Sequence, residues 1–291
     1  MRMPTLGFGC SPFRAGGRRI DLEAAVRTAA EVGYRLFDTA EIYGNERAVG
    51  RALHSSLPWA ELFLVGKVWR TNFRPEALRQ ACEASLLRLG RDAFDLYLLH
   101  APEGWRHDGA LVDPEEAGWE ELERRALPRD AQGDPALDDV PLAETWEAML
   151  ELVRRGLAGA VGVSNFTPAQ IAELTAAGAE PPAANQIAGS PAEPNAATVA
   201  WCRERGISLL AHSPLSALSA LSDGARLKLA ELAEQLRRSP AQIVLRWHVQ
   251  RGLVPLPSSA DPVHIAENLD ALGCVLDAAA MAAVDSLAGS A

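Results

Sequence analysis

The sequence has few of the features that mark metal-binding, secreted or membrane-bound proteins. Its four cysteines, Cys10, Cys82, Cys202 and Cys274, are far apart and have no metal-ligand spacing, so we predict no metal site and no disulfides. No stretch approaches the roughly 18 consecutive apolar residues of a membrane span, and the N-terminal segment lacks the apolar region of a signal peptide. We therefore expect a cytoplasmic protein with no membrane partner.

Positive charge is also scarce, with 28 Lys and Arg against 38 Asp and Glu and a net charge of −10. A nucleic-acid-binding surface needs a basic stripe to neutralise phosphates, so we exclude a nucleic-acid partner. The sequence has no G-x-G-x-x-G after the first predicted strand, no Walker A motif, no H-E-x-x-H and no G-x-S-x-G. These absences argue against a doubly wound dinucleotide fold, a P-loop nucleotidase, a zinc peptidase and an α/β-hydrolase.

Short apolar runs alternate along the chain with segments whose apolar residues recur at i, i+3 and i+4. The predicted strands are Thr5–Gly9, Tyr34–Phe37, Leu62–Val65, Phe94–Leu99, Ala160–Val163, Ala183–Gln186, Ile207–Ala211 and Leu253–Leu256. The predicted helices are Leu22–Val32, Arg47–Ser56, Pro75–Leu89, Leu142–Arg155, Pro168–Ala177, Ala196–Arg205, Pro240–Gln250 and Pro262–Leu272. This alternation predicts the α/β class, as a (β/α)₈ TIM barrel that forms a single domain over residues 1–291.

Three segments lie outside the alternation. A long polar loop, residues 103–141, follows the fourth predicted strand, and loops of this length are usually functional. We predict a short helix in it at Glu115–Arg125, with the acidic run Asp113–Glu123 as a solvated helix face. A further helix, Ala225–Arg237, precedes the last repeat, and an extra C-terminal helix, Ala278–Leu287, packs outside the barrel.

Four polar residues, Asp38, Tyr43, Lys67 and His100, lie at or just after the ends of successive predicted strands. Because parallel strands end at the same face of a barrel, we expect these side chains to form one cluster. An ammonium near a phenol favours the phenolate and lowers its pKa from about 10. We assign Tyr43 as general acid in carbonyl reduction and general base in reverse, with Asp38 and Lys67 tuning it and His100 orienting the carbonyl.

A set of motifs in a fixed order surrounds these four residues. They are Gly33–Ala40 with Tyr43–Glu46 and Gly50, then Gly66–Trp69, Asp95–His100, Gly162–Phe166, Asn185–Gln186, Ser213–Leu215 and Pro257 with Glu267–Asn268. The set covers nearly the whole chain and resembles the aldo-keto reductase family. The resemblance implies hydride transfer between a nicotinamide cofactor, NADP(H) or NAD(H), and a small-molecule aldehyde or ketone.

The resemblance also implies where the cofactor lies. It places the carboxamide at Ser164, Asn165 and Gln186, and it places His212 where an aromatic residue usually stacks on the nicotinamide. The remaining cofactor positions are Ser213, Pro214, Leu215, Ser258, Ser259, His264, Glu267 and Asn268. The family usually has lysine at position 258 and arginine at position 264, and these cations bind the 2′-phosphate of NADPH. Neither Ser nor neutral His replaces them, so we expect weaker NADPH preference and NADH or dual use.

The substrate pocket departs from the family pattern as well. Ala101 stands where an aromatic wall is common, which predicts a more open pocket lined by Trp69 and Trp105. Two alternatives stay open at this point. One is a regulatory or non-redox nicotinamide-binding protein on the same fold, and the other is a specialised-metabolism reductase acting on an unusual carbonyl or imine. The substrate, the reaction direction and the choice between monomer and small homo-oligomer stay open too.

Overall fold

The computed structural model describes residues 2–11, 14–15, 18–19, 21–109, 111–117, 119–176, 178–191, 195–219 and 221–287. Among them, eight parallel strands form one sheet. These strands are β1 (Phe8–Gly9), β4 (Leu36–Asp38), β5 (Phe63–Val68), β6 (Leu96–Leu99), β7 (Val161–Ser164), β8 (Ala184–Ala188), β9 (Ser208–His212) and β10 (Leu253–Leu256). Each strand pairs with the next one in the chain, and the predicted (β/α)₈ barrel is confirmed.

Backbone hydrogen bonds bring the first and last strands of the sheet together. The amides of Gly7 and Gly9 donate to the carbonyls of Pro255 and Pro257 at 3.0 and 2.9 Å. The first strand is shorter than predicted, because only Phe8 and Gly9 pair regularly with β4. A second, antiparallel pair follows it, β2 (Arg14–Ala15) with β3 (Arg18–Arg19), which the sequence did not predict.

Eleven α-helices surround the sheet in the described part of the chain, and their starts follow local capping chemistry. Asp21 caps the first helix, and Thr167 and Ser239 form capping boxes with a glutamine three residues on. The helices are α1 (Leu22–Val32), α2 (Glu46–Ser56), α3 (Pro75–Leu89), α4 (Trp119–Ala126), α5 (Leu142–Arg154), α6 (Pro168–Thr175), α7 (Ala196–Glu204), α8 (Asp223–Leu236), α9 (Pro240–Gln250), α10 (Pro262–Asp270) and α11 (Ala278–Asp285).

The barrel is filled by its own strand residues and covered by the helices. The interior cluster contains Leu36, Val65, Leu98 and Leu210, while a larger cluster lies between the strands and the outer helices. Gly66 faces the outer layer, where a Cβ would lie 2.4 Å from the Phe94 ring. Because side chains alternate along a strand, its neighbour Lys67 points into the barrel.

The long segment 103–141 has more structure than the sequence indicated. It carries α4, and the backbones of Trp105 and Leu137 form an antiparallel bridge. The predicted helix Glu115–Arg125 is present in large part as α4, where Glu120, Glu121 and Glu123 are exposed as expected. The prediction of a solvated helix face is wrong only for the first part of Asp113–Glu123, because Asp113–Ala117 form a turn and the helix begins later. The acidic side chains of that turn bind Arg47 on α2.

None of the helices in the described ranges is long and apolar enough to cross a membrane.

Candidate active site

A cavity of 310 Å³ opens at the carboxyl ends of the strands. Strand register explains why the polar residues meet there, since Asp38 is paired with Val65 and Lys67 with Leu98 near the ends of neighbouring strands. The cavity is lined by Gly9, Ser11, Asp38, Tyr43, His100, Ser164, Asn165, Gln186, His212, Ser213, Leu256 and Ser258. This is the end of the barrel where (β/α)₈ enzymes carry their active sites.

A buried ion pair lies at the base of the cavity. Lys67 Nζ is 2.5 Å from Asp38 Oδ1, and the two side chains are 1% and 6% exposed. The same ammonium also donates to the Thr39 carbonyl at 3.2 Å and to Tyr43 Oη at 3.4 Å. Tyr43 is brought there by a 3-10 turn, Glu41–Tyr43, that follows β4 directly. Three of the four predicted catalytic residues are therefore linked by hydrogen bonds.

Burial and charge act in opposite directions on Tyr43. Burial raises the pKa of the phenol above its usual value of 10.0, and Lys67 opposes that rise without overcoming it. The predicted net lowering of the Tyr43 pKa is therefore wrong. Desolvation of the phenolate raises the pKa by more than the attraction of the Lys67 ammonium lowers it. Burial also disfavours the Lys67 ammonium, but Asp38 and Tyr43 outweigh it and raise the Lys67 pKa. At neutral pH Tyr43 is a neutral phenol beside a charged lysine.

His100 completes the cluster as a neutral ring. Burial lowers its pKa to about 2, with Lys67 and Arg70 contributing in the same direction. Its ring meets Tyr43 and Trp69 edge to face, with centroids 5.8 and 5.0 Å away. Within the described chain its Nδ1 atom is buried without a hydrogen-bond partner. A neutral imidazole can donate one hydrogen bond to a ligand oxygen but supplies no positive charge.

Three polar side chains on the opposite wall extend the cluster. Gln186 Nε2 donates to Asp38 Oδ2 at 2.6 Å. Asn165 Nδ2 donates to the His100 carbonyl at 3.2 Å and to Ser164 Oγ at 3.1 Å. The structure therefore places Ser164, Asn165 and Gln186 together, next to Asp38 and His100.

His212 lies on the same wall as Asn165. Its Nε2 atom is 2.9 Å from Asn165 Oδ1, and because Asn165 Nδ2 already donates, Oδ1 is the acceptor and Nε2 carries the proton. Burial lowers the pKa of His212, and the nearby Lys67 adds to this. The imidazole is thus held in one tautomer, with its edge toward Asn165.

Two non-glycine residues of the cavity have left-handed backbone. Asn165 has a φ of 64° and Ser213 a φ of 51°. Such conformations are uncommon outside glycine and are concentrated at functional sites. The loops after β7 and β9 therefore take these shapes although they are locally unfavourable.

Of the remaining predicted cofactor residues, Ser258 lines the cavity and the others are not among its lining residues. Pro214 is buried and Leu215 half-buried in the loop after β9, and Ser258 reaches the cavity rim. Ser259 is half-buried, Glu267 is exposed and Asn268 is buried along α10. His264 is 63% exposed, and its Nδ1 is 4.0 Å from the Asp261 carboxylate. The segment 257–268 contains neither lysine nor arginine.

None of the three residues predicted for the substrate pocket, Trp69, Ala101 and Trp105, lines the cavity itself. Trp69 packs on both His100 and Trp105, whose ring centroids are 5.0 and 5.5 Å away. Trp69 Nε1 donates to the Ala126 carbonyl at 2.6 Å, so α4 holds this indole in place. Ala101 is only 1% exposed and does not line the cavity.

Sequence reasoning missed two residues of this region. Ser11 lines the cavity, and its position two residues after the first strand was a usable signal. Glu41 is buried in the turn that carries Tyr43. An acidic residue between Asp38 and Tyr43 in a buried segment was the signal for Glu41.

The residues present match what a nicotinamide cofactor requires. Its carboxamide needs hydrogen-bond donors and acceptors, which Ser164, Asn165 and Gln186 supply within one wall. The buried Nδ1 of His100 and the strained backbones of Asn165 and Ser213 occur beside that wall. A cavity of this size and polarity suits a bound ring with a small substrate above it.

The structure is a (β/α)₈ barrel with a buried polar cluster at the carboxyl ends of its strands, and sequence comparison identifies its family. The chain belongs to the Aldo/keto reductase family, whose model matches residues 5–288. The protein is therefore an oxidoreductase of the NAD(P)H-dependent class. This membership confirms the family resemblance deduced from the motifs.

Named relatives agree with this membership. Aldo-keto reductase family 1 member A1 of Homo sapiens is 34% identical over 281 residues, covering 92% of this chain and 81% of the relative. Aldose reductase from Schistosoma japonicum superposes with a TM-score of 0.87 at 31% identity, covering 100% of this chain and 90% of that one. An aldo-keto reductase of Bombyx mori, solved in complex with NADP, has a TM-score of 0.84 at 29% identity and covers 99% and 90%.

Proposed function

We propose that the protein reduces the carbonyl of a small aldehyde or ketone, or oxidises the alcohol in reverse, with Tyr43 as the proton donor or acceptor. One observation carries this proposal. The Tyr43 phenol lies 3.4 Å from an ammonium that is itself bound to Asp38 at 2.5 Å, at the carboxyl mouth of the barrel. A weak acid beside a fixed positive charge suits proton transfer to a developing alkoxide.

Each residue of the cluster has a separate task. When bound, the nicotinamide supplies the hydride that the carbonyl carbon receives. Tyr43 gives its proton to the carbonyl oxygen, and Lys67 stabilises the phenolate that remains. Asp38 keeps Lys67 charged in a buried site, as the raised pKa of the lysine indicates. His100, neutral at all physiological pH values, orients the carbonyl by a hydrogen bond.

The cofactor form is part of the proposal. Ser164, Asn165 and Gln186 would hold the carboxamide, with His212 beside them. Ser258, Ser259 and His264 would lie near the adenosine ribose, where the segment 257–268 has no lysine or arginine and carries Asp261. This segment would offer a 2′-phosphate one carboxylate and no strong cation, which supports use of NADH or of both cofactors.

Replacing Tyr43 with phenylalanine tests the proton-transfer assignment. We expect turnover of a carbonyl substrate panel to fall by about 1,000-fold, because general acid catalysis contributes on the order of 10² to 10⁴. Cofactor affinity, measured by quenching of protein fluorescence, should be unchanged. Tyr97→Phe is the matched control, since Tyr97 is a buried tyrosine whose hydroxyl has no partner among the described residues.

Other outcomes would point elsewhere. Undiminished turnover in Tyr43→Phe would remove Tyr43 from the mechanism. Cofactor binding by the wild-type protein without turnover of any carbonyl would favour a regulatory nicotinamide-binding protein. Binding of neither NADH nor NADPH at millimolar concentration would favour a non-redox role.

A further inference from the structure

We propose that Glu41 is a positioning residue for this reaction, and that its ionised carboxylate ties the turn carrying Tyr43 to the turn carrying Trp69. The inference rests on the proposed function, because it concerns how that site is held in shape. It also makes the site sensitive to pH through a residue that does not touch the reacting atoms.

Glu41 bridges two loops at the mouth of the barrel. It opens the 3-10 turn Glu41–Tyr43 after β4, and it is 4% exposed. Its Oε2 accepts a hydrogen bond from the Trp69 amide at 2.9 Å, and its Oε1 accepts one from Asn72 Nδ2 at 2.6 Å. Trp69 and Asn72 both belong to the loop after β5. One carboxylate therefore joins the loop of the general acid to the loop after Lys67.

The second loop matters because of what Trp69 contacts. Its indole meets the His100 ring at a centroid distance of 5.0 Å, and His100 lines the cavity. Trp69 as a wall of the substrate pocket stays a prediction. A shift between the two loops would change the distance from Tyr43 to this wall. Within the described part of the chain, the Glu41 carboxylate bonds to Trp69 and Asn72 and not to Ser164 or Gln186, which lie on β7 and β8.

The nearby cation, Arg88, forms its ion pair with Glu46 and not with Glu41. Glu46 on α2 faces it, and Glu46 is bound to Arg88 of α3 at 2.7 Å. Arg88 is the cation that lowers the Glu41 pKa, while Tyr97 of β6 and Cys82 of α3 also interact with the Glu41 charge. Two carboxyl groups thus share one guanidinium. Burial raises the pKa of Glu41 to about 7.

Protonation of Glu41 breaks one of its two bonds. An ionised carboxylate accepts from both the Trp69 amide and Asn72, but the protonated oxygen becomes a donor. That oxygen would then face an N–H group, and the link would weaken. We therefore expect the substrate KM to rise as the pH falls through about 7, while the dissociation constant of the cofactor stays constant.

Glu41→Gln provides the direct test, because glutamine keeps the shape but replaces one of the two acceptor oxygens with an NH₂ donor at every pH. Between pH 5.5 and 8.5 the wild-type KM should rise about fivefold on acidification, the effect of one weakened hydrogen bond. The KM of Glu41→Gln should be high and independent of pH. Glu61→Gln, at an exposed glutamate ending another 3-10 turn, is the matched control and should behave as wild type.

Asn72→Leu keeps the inference testable if Glu41→Gln fails to fold. Removing a donor to the carboxylate favours its protonated form, so the rise in KM should move to higher pH. A merely structural role would instead change KM equally at every pH. An unshifted profile in Asn72→Leu, or a wild-type profile in Glu41→Gln, would overturn the inference.

A second readout does not need turnover. Because the pKa of Glu41 is raised in the folded protein, its protonated form stabilises the fold at acidic pH, and this stabilisation is lost as the pH rises from about 4.5 through 7. The thermal midpoint of the wild type relative to Glu41→Gln should fall over that interval. If the thermal midpoint falls as expected but no carbonyl is turned over, only the proposed function is contradicted. If carbonyls are turned over but the thermal midpoint does not fall, only the role of Glu41 is contradicted.

Discussion

His100 and Tyr43 divide the chemistry of the site between two neighbouring side chains. Burial keeps His100 neutral, with a pKa of about 2, and keeps the proton on Tyr43. Only the phenol has an ammonium within 3.4 Å to stabilise its conjugate base. In the proposed mechanism the phenol is therefore the proton donor, and the imidazole is a hydrogen-bond donor. The raised Tyr43 pKa is an advantage for reduction, because the proton is present at neutral pH.

Cofactor choice is a residue-scale property and yields a prediction. The double variant Ser258→Lys, His264→Arg should raise affinity for NADPH by about tenfold or more relative to NADH, since a charge-assisted pair contributes roughly 1.5–3 kcal/mol. Fluorescence titration with both cofactors gives the ratio. Val263→Arg adds a cation at an exposed neighbouring position, 62% exposed, and is the control for charge alone. If the ratio of NADPH to NADH affinity is unchanged in the double variant, the ribose 2′ position does not lie near residues 258 and 264.

At the scale of elements, the insertion at 103–141 is tied to the barrel by Arg47 of α2. Its guanidinium binds Asp113 at 3.2 and 2.7 Å and Glu116 at 3.2 Å, and its amide donates to Glu115 at 2.8 Å. The far end of α4 holds the Trp69 indole. The insertion thus links an outer helix to the substrate wall.

Arg47→Ala should loosen this insertion. We expect faster proteolytic cleavage within 103–141 and a rise in substrate KM of about fivefold, since about 1 kcal/mol of charge-assisted bonding is lost. Cofactor affinity should stay the same. Arg51→Ala removes an arginine that pairs with Glu23 on α1, outside the insertion, and serves as the comparison. Equal cleavage in both variants would contradict the role of Arg47.

Most elements were predictable from the sequence because their signals are local. The strands from Leu36 to Leu256 are short apolar runs, and the helices begin at Pro or at Ser, Thr and Asp caps. The helix of the insertion was predicted from its local pattern, but the turn at Asp113–Ala117 was not, because that turn depends on Arg47, which is far away in sequence. The pair β2 and β3 is only two residues per strand and leaves no periodic pattern.

The candidate site was predictable in its chemistry and less so in its energetics. Asp38, Tyr43, Lys67 and His100 meet because strand ends share one face of the barrel, which topology alone requires. The net pKa of Tyr43 depends on its depth of burial, which no motif encodes. The same holds for Ala101, whose side chain is covered although its position in the chain adjoins the site.

At the scale of the whole molecule, the buried His248, which is not among the four residues of the catalytic cluster, contributes to the loss of stability in acid. His248 is completely buried, with Nδ1 2.8 Å from the Val244 carbonyl and Nε2 3.1 Å from the Gly189 carbonyl. Burial lowers its pKa to about 4, although both carbonyls oppose the change. The folded protein therefore resists a proton that the unfolded chain accepts near pH 6.5.

This histidine predicts a loss of stability in acid. Its contribution is present above pH 6.5 and is lost as the pH falls through 4, amounting to about 3 kcal/mol of the free energy of unfolding. Urea titrations between pH 7 and 4 should show a shallower loss in His248→Gln than in the wild type. His54→Gln, at an exposed position on α2, should follow the wild-type curve. A parallel loss in all three proteins would assign the effect to other groups.

The left-handed backbones of Asn165 and Ser213 have a kinetic consequence. The chain adopts these unfavourable loop conformations when it folds. Their conformational free energy is therefore part of the free energy of folding and does not reduce the free energy of ligand binding. A groove that is already shaped needs no reorganisation step before docking. We expect the part of the groove that binds the nicotinamide to have its bound shape before the ligand arrives. Affinity differences among related ligands should then appear mainly in their dissociation rate constants and only weakly in their association rate constants.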